Sequence, residues 1–177
     1  MSLSDRDLLA RVVVHDDRSA YGELVLRHQS AVRRFLRHLT KGDAACADDL
    51  AQETFLQGYR SLALFRADSS FSTWIFGIAH NQYRNARRRQ RHEFTDTIPE
   101  TSLPSENVQV DLRHDLGAAL RQLSLDEQTA LHLCFQQGLT HPQASEVMQM
   151  PLGTLKTLIF RSKEKLRSRL SAWNPQT

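Results

Sequence analysis

The sequence predicts an all-α protein of two small helical domains joined by an extended acidic linker, the C-terminal domain carrying a helix-turn-helix. Three observations carry that prediction. Apolar residues recur at helical spacing through most of the 177 residues, and no stretch shows sustained period-two alternation. The segment His92 to Leu112 (HEFTDTIPETSLPSENVQVDL) interrupts that periodicity with two prolines, five acids and no lysine or arginine. Beyond Pro151 and Gly153, a last helix is loaded with Lys156, Arg161, Lys163, Lys165, Arg167 and Arg169.

The elements follow in order. Leu8, Leu9, Val12 and Val13 predict the apolar face of a first helix. After the polar break HDDRSA, Tyr21, Leu24, Val25, Phe35, Leu36 and Leu39 predict a second. A third runs from the N-cap Asp43 to Phe65, with Leu50, Phe55, Leu56, Tyr59 and Leu62 as its apolar positions. The stretch FSTWIFGIAHNQYRNARRRQ, Phe71 to Gln90, predicts a fourth, entered through the loop RADSS. These four bury one shared core, which sets the domains at 1–91 and 113–177 with the linker at 92–112.

Helices resume from Asp115, with Leu116, Leu120 and Leu123 on one face. Ser124 and Glu127 form a capping box for a helix around Gln128 to Gln137, and Gly138 suits its end. Thr140 and Gln143 repeat the box for a short helix ending near Met150, before Pro151 and Gly153 break the chain. Two helices across a tight turn, the second strongly basic, make the helix-turn-helix pattern.

Net charge is only +3, but a pI near 9.1 and five arginines among the eight residues from Arg84 to Arg91 favour an acidic partner, nucleic acid or anionic lipid. No apolar run approaches the length that spans a bilayer. The N-terminus MSLSDRDLLARVVVHDD has acids where a signal peptide needs a basic start and an apolar core, so a cytoplasmic protein with no membrane partner is expected. Cys46 and Cys134 are the only cysteines, and no CxxC or HxxxH spacing occurs, so two free, mostly buried thiols and no metal or cofactor are expected.

Asp48, Asp49, Gln52 and Glu53 make an acidic patch on an otherwise basic domain, with Asp49, Gln52 and Glu53 on one helical face. Three carboxylates can hold a divalent metal, as a nuclease requires, but adjacent Asp48 and Asp49 point about 100° apart on a helix and no positioned base accompanies them.

The motifs resemble those of the bacterial sigma-70 family, in its extracytoplasmic-function (ECF) group. DDLAQETFLQGYRSLALF resembles the helix these factors dock on the polymerase clamp, and FRADSSFSTWIFGIAHNQYRNARRR resembles their promoter-melting segment. LSLDEQTALHLCFQQGLT followed by MPLGTLKTLIFRSKEKLR resembles their C-terminal helix-turn-helix. Three motifs in this order, from about Ala20 to Leu170 and excluding the linker, are specific to that group.

The resemblance implies a set of contacts. Asp48, Asp49, Gln52 and Glu53 match the surface for the clamp coiled coil of the largest subunit of core RNA polymerase, and the C-terminal domain would meet the polymerase flap. At the −10 element, Trp74 would wedge at the upstream fork, and Phe65 with Asp68, Ser69, Ser70 and Phe71 would pocket a flipped base near Asn81. Arg84, Arg87 and Arg88 would hold phosphates. The chemistry agrees: aromatic faces accept unstacked bases of any identity, and arginines hold backbone regardless of sequence. Trp74, Ile75 and Ile78 also recur at core spacing, so some of Phe71, Trp74 and Phe76 must be buried. At the −35 element the resemblance assigns Lys156, Thr157, Phe160 and Arg161, which share one side of a helix, with Lys163 and Arg167 near phosphates.

The acidic linker would thread a polymerase channel in place of nucleic acid, and an anti-sigma factor joins the expected partners. Leu158 and Cys134 replace commonly basic residues, Gly77 a basic or bulky one, and Thr140-His141-Pro142-Gln143 the usual S-Y-E-E. Two rival functions are a stand-alone helix-turn-helix regulator, for which no dimerisation segment is apparent, and a metal-dependent nuclease using Asp48, Asp49 and Glu53. Neither accounts for the linker.

Overall fold

The protein, described here by a computed structural model, is defined for residues 3–65, 69–93 and 117–171, and these contain helices and turns but no strand. The chain divides between Ile98 and Pro99 into two compact units. Asp68 and nearly all of the expected linker lie outside the described residues. Among those residues no helix is long and apolar enough to cross a membrane.

The first unit holds α1 (Asp5–His15), α2 (Arg18–Leu39), α3 (Ala44–Arg60) and α4 (Phe71–Glu93). A side-chain oxygen caps each start. Ser4 and Asp7 form a capping box at α1, Asp17 accepts from the Ser19 and Ala20 amides at α2, and Asp43 accepts from the Cys46 amide at α3. At α4 the Ser70 hydroxyl accepts from the Thr73 amide at 3.1 Å. Such caps contribute about 0.5–2 kcal/mol each. Between α2 and α3 the chain reverses through Lys41 and Gly42, both at positive φ, with the Gly42 amide donating to the Arg37 carbonyl.

The core lies where α2, α3 and α4 meet. Phe35 and Phe76 pack edge-on with centroids 5.3 Å apart, and Leu24, Leu36 and Ile75 on the same helices are fully buried. α1 covers this core with Leu8, Leu9 and Val12 alone; Val13 is 60% exposed, because the face presented to α2 is too narrow to include it. The expected third helix stops early. Ser61 leaves helical geometry, its hydroxyl donates to the Gln57 carbonyl, and a 3₁₀ turn (Leu62–Leu64) follows. Phe65 therefore stands in extended backbone beyond the turn rather than on α3.

Gly58 lets α3 close against α2 and α4. A Cβ there would lie 2.8 Å from the Tyr21 hydroxyl and 2.9 Å from Ile75 Cδ1. That hydroxyl donates to the Phe55 carbonyl at 2.6 Å, and Ile75 is fully buried, so neither has room to retreat. Gly58→Ala should therefore destabilise the protein by about 1–3 kcal/mol despite the better helix former, as overpacking outweighs propensity. Chemical denaturation checks this; an unchanged or raised midpoint would refute it.

The second unit opens with a helical turn at 117–121, then α5 (Leu125–Leu131), which continues as a π-helical turn (His132–Gln136), then α6 (His141–Met148) and α7 (Leu152–Ser171). Both capping boxes form, Ser124 with Glu127 and Thr140 with Gln143, and Gly138 takes positive φ after the π turn. The 5% exposed Glu127 is held twice, by Lys165 Nζ at 2.6 Å and by the Ser124 amide at 2.8 Å. Burial works to raise its carboxyl pKa, but these donors bring it below the usual range, so α5 and α7 are joined by an ionised pair. Gly153 lies in the first turn of α7 rather than breaking it; the reversal occurs at Gln149, which is left-handed, and Pro151.

Candidate nucleic-acid and protein interfaces

α3 turns Ala47, Ala51, Thr54, Phe55 and Gly58 inward. Asp49, Gln52 and Glu53 consequently face solvent together. Asp48 departs from that group: its Oδ1 lies 3.5 Å from Arg33 Nε on α2. The trio Asp48, Asp49 and Glu53 does not converge, and among the described residues no three His, Cys, Asp or Glu side chains could hold a metal ion. Sequence periodicity placed Leu56 in the core, but it is 52% exposed and prolongs the acidic face by one turn. The signal was legible in the spacing 49, 52, 53 and 56.

On α4, Trp74, Asn81, Arg84 and Arg88 fall within one helical stripe, spaced by three, four and seven residues. Trp74 and Asn81 are half-buried and Arg84, Arg87 and Arg88 exposed. Gly77 lies in the same stripe and has open space around it, leaving the surface between Trp74 and Asn81 flat. Trp74 stands between two rings, Phe65 at 5.3 Å and Phe71 at 5.8 Å, and Phe71 in turn meets His28 at 5.2 Å. Phe71 corrects the expectation. At 3% exposure it cannot offer a face to a base, because α4 begins there with its side chain turned into the core. Ser70 is exposed, but its hydroxyl is engaged by the Thr73 amide and hydroxyl; Ser69 is half-buried.

In the second unit, Leu155, Ile159 and Ser162 seat α7, which leaves Lys156, Thr157, Phe160 and Arg161 on the exposed side. Phe160 is 65% exposed. Thr157 donates its hydroxyl to the Gly153 carbonyl at 2.9 Å, so its methyl is the freer group. Lys163 lies over the Phe135 ring at 4.6 Å, and Arg167 pairs with Glu164. An open groove at the start of α7 is lined by Pro151, Gly153, Thr154, Thr157, Leu158 and Arg161. In the sequence Pro151 and Gly153 read only as chain-breaking residues, not as the lining of a groove. Cys46 and Cys134 are half-buried rather than enclosed, and burial raises both thiol pKa values, with Asp43 and Asp49 adding to the effect at Cys46.

Residues 24–93 match the family Sigma-70 region 2, and residues 113–166 match Sigma-70, region 4. The RNA polymerase sigma-H factor of Pseudomonas aeruginosa is 33% identical, across 92% of this chain and 91% of its own length. The chain belongs to the sigma-70 family. Within it, this sigma factor is 30% identical to the ECF RNA polymerase sigma-E factor of Escherichia coli K12, across 95% of each chain. The fold is shared with the sigma factor RpoE in complex with the anti-sigma factor NepR from Bartonella quintana, at a TM-score of 0.68 and 24% identity, across 85% of this chain and 96% of that one. Similarly, CnrH in complex with the cytosolic domain of CnrY gives 0.67 and 24%, across 95% and 97%. In this sigma factor the region 2 match takes in α3, α4 and most of α2 but excludes α1; the region 4 match takes in α5, α6 and most of α7.

Proposed function

We propose that this ECF sigma factor docks on core RNA polymerase through Asp49, Gln52 and Glu53, with Asp48 beside them. It reads −35 duplex with Lys156, Thr157, Phe160 and Arg161, and opens −10 DNA along the Trp74–Asn81–Arg84–Arg88 stripe. The polymerase supplies the catalysis; the factor supplies placement and strand capture, in the cytoplasm. Domains at 1–91 and 113–177, joined by an acidic segment, suit two separate promoter elements.

The stripe on α4 is the observation that carries this reading. A half-buried indole, a flat step, an amide and then guanidinium groups offer stacking, hydrogen bonding and phosphate neutralisation in one line. Transcription in vitro from a cognate promoter should require both this protein and core polymerase; a stand-alone regulator would need no core to bind tightly. Arg161→Ala should weaken −35 binding by about 1–3 kcal/mol, read as promoter affinity of the holoenzyme at fixed salt. Affinity indistinguishable from wild type would remove α7 from the −35 contact.

A further inference from the structure

Asp5 stands in the first turn of α1, outside the residues that match region 2, yet it touches the ring system that includes Trp74. Its Oδ2 lies 2.6 Å from His28 Nε2, and its Oδ1 accepts a hydrogen bond from Arg27 at 2.9 Å. Burial opposes charge on Asp5, but the hydrogen bonds from His28 and Arg27 outweigh it and keep the carboxyl below its usual range, hence ionised at neutral pH. The imidazole it holds is only 18% exposed and meets Phe71 edge-on at 5.2 Å. Phe71 passes the contact to Trp74 at 5.8 Å, and Trp74 to Phe65 at 5.3 Å.

A ring torsion about an sp³–sp² bond is broad, so a ring takes its plane from its neighbours. Phe71 has no polar atom to fix it; His28 and Trp74 stand on either side. His28 carries a polar ring atom, and Asp5 grips it.

We propose that Asp5 and His28 are positioning residues for promoter opening. The carboxylate on α1 orients the imidazole, the imidazole seats Phe71, and Phe71 sets the indole of Trp74 that receives DNA. The proposal rests on the strand-opening reading of Trp74 and Asn81 above. Because Asp5 also ties α1 to α2 through Arg27, lost stability alone would not distinguish the role. The distinguishing readouts are the separation of closed from open complexes and the coupling between Asp5 and His28.

The test uses the full-length protein with core polymerase on a duplex promoter, following open complexes by permanganate reactivity. Asp5→Ala should keep core binding and closed-complex affinity within about twofold while slowing opening about five- to tenfold. A pre-melted bubble should restore activity. Asp5→Asn, whose single oxygen still accepts from Arg27 while its amide N–H donates to Nε2 of the other His28 tautomer, should recover most of the opening rate. His28→Ala should open as slowly with Asp5→Ala as without it, because Asp5 acts through His28. If Asp5→Ala folds poorly, His28→Gln keeps a donor for Asp5, removes the ring, and should show the same slow opening. Wild-type opening in both Asp5→Ala and His28→Gln, with Asn81→Ala still defective, overturns the positioning role and leaves the strand-opening reading standing. Additive losses from Asp5→Ala and His28→Ala likewise overturn it. Normal opening in Asn81→Ala as well brings down both.

Discussion

Asp49→Lys combined with Glu53→Lys is expected to abolish core-polymerase binding while helical content and melting temperature barely change. Both side chains are exposed on α3, opposite the face that packs Ala47, Ala51 and Phe55, so their replacement removes nothing from the core. Surface changes of this kind stay within about 0.5 kcal/mol of wild-type stability. The Arg33–Asp48 pair is untouched, so the α2–α3 junction keeps its polar tie. Reversing two charges in a complementary interface replaces attraction by repulsion, which costs several kcal/mol and lowers affinity about 100-fold or more. Fluorescence anisotropy of labelled protein titrated with core polymerase measures it. Affinity within about twofold of wild type would defeat the docking surface, however acidic it looks.

The second large effect belongs to Asn81. Asn81→Ala should bind core polymerase normally and form near-normal closed complexes, but yield little permanganate-reactive thymine around −10. Asn81 is half-buried on α4 and lies beyond Gly77 on the Trp74 stripe, so truncation removes an amide without opening a core cavity. Trp74→Ala is a poorer probe: the indole packs on Phe65 and Phe71, and its loss would leave a cavity costing about 3–5 kcal/mol. A template with a pre-melted bubble should restore much of the transcription if Asn81 nucleates melting, and less if it also holds the captured base. An intact open complex on duplex promoter would take Asn81 out of the site.

Periodicity, capping residues and composition were enough to determine helix content, the caps at Asp43, Ser124 and Thr140, and the exposed side of α7. These depend on residues a few positions apart, where one helical geometry fixes who faces whom. The stripe from Trp74 to Arg88 was legible for the same reason. What a neighbouring element does to a side chain was not. Phe71 reads as one more aromatic in a DNA-melting motif until α2 brings His28 against it and the ring proves buried. Leu56 reads as core until the packing of α3 leaves it outside, and Asp48 reads as part of a patch until α2 offers Arg33. The end of α3 at Arg60, which frees Phe65 to meet Trp74, depends on a packed turn that propensity does not forbid. Local spacing determined which elements form and which stripes they carry. Only long-range packing decided which member of each stripe is buried, paired or left for a partner, because that depends on contacts between residues distant in sequence, such as Asp5 and His28 or Gly58 and Tyr21.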